Sequence, residues 1–155
     1  MIRECAFAQC KSLVCVQLNE GLRVLGTETK NEEDGRGVFS GSALKSVVVP
    51  STVKRVGSYC FYGCQHLTDV TLSRGLEVIG RRCFVLSGLR EIVIPRTVRE
   101  IEDTAFMHTT MYVDLYFEPG SQLQLVGKQD TFFPTVRLAD DNAPPAARAV
   151  WRQKE

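Results

Sequence analysis

The residues that invite a chemical reading lie in one stretch, VGSYCFYGCQHL (Val56 to Leu67), where Cys60, Cys64 and His66 are followed at a distance by Cys83. Three thiols and an imidazole are a zinc-binding composition, and a thiolate beside an imidazole is a nucleophile. The spacing argues against both. C-x3-C-x-H is not the arrangement of zinc fingers or ribbons. A Cys64 pair with His66 or His108 has no third group in the sequence pattern to orient its base. Neither a glycine-rich phosphate loop nor an H-E-x-x-H motif occurs. The expectation is therefore no enzyme, no cofactor and no metal, with a metal-binding or thiol enzyme as the third-ranked reading.

Composition narrows the partners. The 155 residues are 44% hydrophobic and 24% charged with a net charge of +1, which gives no global attraction to phosphate polymers or anionic lipid. No apolar run is long enough to span a bilayer, and Arg3, Glu4 and Lys11 interrupt the segment where a secretory signal would need continuous apolar residues. The expectations are no membrane insertion and an open compartment, the cell surface being reached only if a longer gene product supplies export. The six cysteines are expected to be free thiols behaving as small hydrophobes.

What positions these side chains is a repeat. A phenylalanine preceded by a small residue recurs at Phe7, Phe39, Phe61, Phe84 and Phe106, at intervals of 32, 22, 23 and 22 residues. The long first interval contains TETKNEEDGR (27–36), polar enough to be a solvated insertion. After each Phe comes an alternation such as Leu44, Val47, Val49 or Leu89, Ile92, Ile94, the pattern of a short strand with one face inward. A turn follows (NEG, PST, SRG, PRT, EPG), then a second apolar pair, such as Val53 and Val56 or Leu76 and Ile79. Gly26, Gly57, Gly80 and Gly127 close four of the five pairs, with Glu102 in the fourth unit, and a glycine there suits a tight corner or a positive φ. A unit this short cannot bury its own apolar edge and becomes stable only by stacking on copies of itself.

LTDVTLSRGLEVIGRRCFVLSGL and LKSVVVPSTVKRVGSYCFYGCQHL state the unit most fully, and it resembles the BspA-like leucine-rich repeat over roughly residues 2–127. The insertion, the contracted units and a blurred fifth unit depart from it. The fold expected is a mainly β leucine-rich-repeat solenoid: a right-handed superhelix with a parallel sheet of short strands and an irregular or short-strand convex side. Its domain organisation would be a five-unit solenoid over 1–138, with a C-terminal cap at about 128–138 built on Phe132, Phe133, Val136 and Leu138, and a flexible tail over 139–155. Trp151 in that tail is either incidental or a docking motif. The resemblance also implies adhesion or host-contact roles known in some relatives.

Stacking gives each column a meaning. The Phe column becomes an aromatic spine, Cys60 and Cys83 share a small-residue column with Ala6, Val38 and Ala105, and Cys10 and Cys64 share one with Ser42, Ser87 and Thr109. Cys5 and Cys15 fall outside the inward columns. A solenoid binds through the outward residues of its stacked strands. These are Gln17 in the first unit, Ser46 and Val48 in the second, and Asp69 and Thr71 in the third. Glu91 and Val93 follow in the fourth unit, and Asp114, Tyr116 and Glu118 in the fifth. The face grows acidic toward the C-terminal units and suits a protein partner with a basic rim and a small apolar centre. The opposite edge carries Arg55, Arg74, Arg81, Arg82, Arg96 and Arg99, offset by Glu77 and Glu100, without an extended stripe for nucleic acid. The function expected is a protein-interaction or adhesion module. The alternative is an architectural segment of a larger protein. The chain starts inside a unit without a polar cap, so the first coil is expected either to continue in a longer protein or to self-associate.

Overall fold

The computed structural model describes residues 1–26, 36–107, 113–126, 136–138 and 142. Most of the polar insertion, most of the C-terminal cap and the tail with Trp151 lie outside these residues. The elements are ten short strands: β1 (Val24–Leu25), β2 (Ser46–Val49), β3 (Arg55–Val56), β4 (Asp69–Leu72), β5 (Val78–Ile79), β6 (Glu91–Ile94), β7 (Glu100–Ile101), β8 (Val113–Phe117), β9 (Leu125–Val126) and β10 (Val136–Leu138). Every ladder between them is parallel, and each step advances one coil, so the chain is a solenoid.

The second apolar pair of each unit builds the longer sheet. Its order is β1-β3-β5-β7-β9, and a bridge from Ile2 to Leu25 extends it at the N-terminal side. The main strands, where one stacked sheet was expected, divide into two. β2 pairs with β4, and β6 with β8 and then β10, but no ladder joins β4 to β6. Val70 records the break, since it is half-buried where Val47 and Ile92, at the same position of the neighbouring units, are buried. The first unit contributes a single bridge, Cys15 to Ser46, and no strand.

The corner around each Phe is the most regular part of the molecule. Consecutive rings stack at centroid distances of 5.3, 5.6, 5.4 and 5.3 Å with interplanar angles of 13° or less. Two backbone bonds pin each interior corner to the next coil, for example Phe39 N–H to Cys60 O (2.9 Å) and Gly41 N–H to Tyr62 O (2.7 Å). The chain rounds the ring through left-handed conformations two residues before it (Cys5, Tyr59, Arg82, Thr104) and two residues after it (Gln9, Gly41, Gly63, Leu86). Of the closing glycines, Gly26 has positive φ, whereas Gly80 is required by close approach: a Cβ there would lie 2.5 Å from the Gly57 carbonyl carbon. Val38, Cys60, Cys83 and Ala105 are fully buried beside the spine, while Ala6, in the first coil, is exposed.

Candidate interaction face

The thiols belong to the core. Cys60, Cys64 and Cys83 are buried, and burial pushes each thiol above its ordinary pKa, furthest from the reactive thiolate at Cys60 and Cys83. Cys64 Sγ donates to Phe39 O at 3.0 Å and lies 3.5 Å from Ser42 Oγ, so in this column thiol and hydroxyl serve the inward-facing backbone. Ser87, the next residue of the column, is 1% exposed and its hydroxyl has no partner among the described residues. His66 is exposed whereas the three sulfurs are buried, and among the described residues no group of three or more His, Cys, Asp or Glu is placed to hold a metal. His108 and Thr109 lie outside the described residues. Cys5 and Cys15 are exposed free thiols.

The outward residues of the main strands fall into register. Cys15 is opposite Ser46, Ser46 opposite Asp69, Val48 opposite Thr71, Glu91 opposite Asp114 and Val93 opposite Tyr116. Val48 and Val93 are 57% and 53% exposed, high for apolar side chains in ordered strands. Asp114 and Tyr116 are only half-exposed. Two shallow clefts indent this face. One, of about 170 Å³, lies over the break between β4 and β6 and is lined by Thr68, Asp69, Thr71, Glu91, Val93 and Tyr116 among others. The other, of about 210 Å³, is lined by Gln17, Ser46, Val48, Asp69 and Thr71 among others. Asp69 and Thr71 therefore form the wall that both share.

The model for the BspA type leucine rich repeat region matches residues 1–113 in six copies, against five phenylalanine-marked units. The chain belongs to this family. In fold it is similar to a leucine-rich repeat protein from Bacteroides ovatus ATCC 8483, at 26% identity and a TM-score of 0.63 over 80% of this chain and 30% of that one. It is also similar to the pneumococcal vaccine antigen PcpA, at 24% identity and a TM-score of 0.52 over 72% of this chain and 28% of that one. The chain thus spans under a third of the length of either. No curated protein sequence matches it. The BspA-type repeat is a non-catalytic scaffold whose general role is protein–protein interaction, and no helix among the described residues is long and apolar enough to cross a membrane.

On the turn edge of this BspA-type solenoid, charges are largely committed to one another. Glu118 leaves the face set out from the sequence: its carboxylate accepts from Arg74 Nε (3.1 Å to each oxygen) and from the Arg96 N–H (3.1 Å), because Glu118 already belongs to the turn that ends β8. The Arg74 hydrogen bonds, then the Arg96 N–H, hold this carboxyl below its ordinary pKa. Glu20 does the same for the second coil, accepting from the N–H groups of Ser51 and Thr52 (3.1 Å each), with the Ser51 N–H as the main cause of its lowered pKa. Arg55 reaches across β5 to pair with Glu102, whose other oxygen accepts from the Arg81 N–H at 2.8 Å. Glu102, standing where other units have glycine, thus ties three coils together. Arg82 donates to Tyr59 Oη at 3.1 Å, with its guanidinium carbon 5.8 Å from the ring centre. None of these pairings is visible in the repeat pattern, since Glu20, Glu102 and Glu118 each stand where the neighbouring units carry no acid.

Proposed function

We propose that this chain binds a protein partner through the outward face of its main strands, with Asp69 and Thr71 at the centre, Glu91, Val93, Asp114 and Tyr116 on one side, and Gln17, Ser46 and Val48 on the other. The observation that carries this reading is the pair of adjoining clefts sharing the Asp69–Thr71 wall, with exposed Val48 and Val93 beside them. Exposed valines in an acidic surround suit a partner that offers an apolar contact and basic side chains around it, because opposite charge steers the encounter while apolar burial supplies affinity. The face holds fewer residues than the roughly 20–30 per side of a standard interface, so affinity is modest unless further repeats extend it. Adhesion is the form this activity would take in a longer surface-displayed array.

Immobilised chain and its Asp69→Lys, Glu91→Lys variant, presented to the same protein mixture, separate this reading from a purely architectural role. Recovery of a bound protein by the first and its loss with the second is expected. Equal recovery by both would remove the face from consideration. A photoreactive residue at Val93 then identifies what is captured by crosslinking it at the cleft.

A further inference from the structure

A second surface lies on the turn edge, away from the main-strand face. The turns alternate in composition: glycine at Gly21, Gly75 and Gly120 in odd coils, threonine at Thr52 and Thr97 in even coils. Each threonine hydroxyl accepts from the preceding glycine N–H (Gly21, 2.9 Å; Gly75, 3.1 Å) and donates to the next carbonyl (Leu22, 2.8 Å; Leu76, 2.7 Å). Gly75 has no room for a side chain, since a Cβ would lie 2.0 Å from Ser51 O. Over Gly75, Thr97 and Gly120 runs a groove of about 330 Å³ whose charged walls are Lys54, Glu77, Arg96 and Arg99. Lys54 is paired with Glu77 at 3.1 Å. The side chains of Arg96 and Arg99 are exposed and form no ion pair among the described residues; the Arg96 charge also acts at longer range on the Glu118 carboxylate.

We infer that this groove is a receptor for an acidic peptide segment, engaged through two carboxylates on Arg96 and Arg99. The chain itself demonstrates the chemistry. Glu20 and Glu118 are carboxylates from one coil seated on the turn of an adjacent coil, one on two backbone N–H groups and the other on an N–H together with a guanidinium. In the fourth coil Glu118 takes the Arg96 N–H, and the Thr97 N–H, counterpart of the Thr52 N–H, has no such acceptor among the described residues. A guanidinium fork matches a carboxylate with two parallel hydrogen bonds. The groove crosses coils two to five, about 14 Å at roughly 4.8 Å per coil, the length of about four extended residues. Glu77 stands among the cations, so a ligand with charge at every position places one against it. That selects a peptide with separated acidic residues over a uniform polyanion such as nucleic acid or sulfated polysaccharide.

The test is fluorescence anisotropy with the full chain and a labelled peptide bearing two glutamates separated by two alanines. Binding that weakens with added salt is expected, with a loss of about tenfold or more in Arg96→Gln, Arg99→Gln, as for removal of charge-assisted hydrogen bonds. Arg23→Gln, an exposed cation of the first coil outside the groove, should bind as the parent does. Thermal melting checks that the double variant is folded, and single Arg99→Gln carries the same expectation if it is not. Unchanged affinity in the variants overturns the inference. So does tighter binding of a thymidine oligonucleotide or a sulfated oligosaccharide of equal charge.

Discussion

Ser87 Oγ is a hydroxyl sealed from water with no partner among the described residues, in a column where Cys64 satisfies the same position by donating to Phe39 O. An unpaired buried hydroxyl costs about 1–3 kcal/mol, so Ser87→Ala is expected to raise stability by about 1 kcal/mol after the small loss of packing, read from the urea midpoint at constant slope. A lower midpoint would mean that the hydroxyl is satisfied in solution. At this scale the sequence was legible wherever size set the choice. The Phe column, the small residues beside it and the Ser/Cys alternation could all be assigned from spacing, and that removed Cys60, Cys64 and His66 from any chemical site. It was not legible where conformation set the choice without fixing the letter. The left-handed positions two residues before Phe7, Phe61, Phe84 and Phe106 and two after Phe7, Phe39, Phe61 and Phe84 hold Cys, Tyr, Arg, Thr, Gln and Leu as well as Gly, so no residue type marks them. Leu86, left-handed and substantially exposed, illustrates the cost: the conformation disfavours an L side chain by about 1–2 kcal/mol, and the corner's hydrogen bonds hold it there.

The turns and strands carry the next set of consequences. Thr97→Val removes a hydroxyl that bonds both the Gly75 N–H and the Leu76 carbonyl, and is expected to cost about 1–3 kcal/mol, whereas Thr71→Val on the open strand face should cost almost nothing. Equal effects in chemical denaturation would show that the alternating turn contributes no specific stability. The seated carboxylates give the edge a pH dependence. Folding lowers the pKa of Glu20 and of Glu118, so their contribution is complete above the ordinary carboxylate pKa and is lost as pH falls through the lowered values. Denaturation midpoints followed from about pH 5 down to about pH 3 should therefore decline less steeply in Glu20→Gln, Glu118→Gln than in the parent. Parallel profiles would show that the two carboxylates do not act in this way. Both strands of the second to fifth units were visible as apolar pairs in the sequence, whereas in the first unit Leu13, Val16 and Leu18 follow the same pattern and yield only the Cys15 bridge. The break between β4 and β6 was not, because DVTL and EIVI both place an acid first and apolar residues second and fourth, and the separation lies in how successive coils stack. For the same reason the clefts along the face could not be foreseen, although most of their lining residues could.

Over the described residues the core runs continuously from coil to coil. Apart from the Arg55–Glu102 and Arg74–Glu118 pairs, which reach one coil further, stability is a chain of contacts between coil n and coils n − 1 and n + 1. The ring stacking shows how evenly those contacts are distributed, since no Phe pair differs from the next by more than 0.3 Å in centroid distance. Position along the array, not residue type, then decides the effect of a substitution. Phe61 is fully buried between two rings, and Phe61→Ala is expected to cost about 3–5 kcal/mol. Among the described residues Phe7 stacks on one ring and is half-buried, so Phe7→Ala should cost less than half as much. The two should also differ in kind. A defect at Phe61 weakens the link between the coils before and after it, letting them unfold separately, so the urea transition should broaden as well as shift. A defect at Phe7 only frays the end and leaves the remaining coils cooperative. Hydrogen exchange resolves this directly: Phe61→Ala should raise exchange in β3 and β5 together, while Phe7→Ala should raise it in β1 and leave β7 as in the parent. If both variants instead lower protection uniformly across β1 to β7 with an unchanged slope, the array unfolds as one unit and the nearest-neighbour picture fails for this chain.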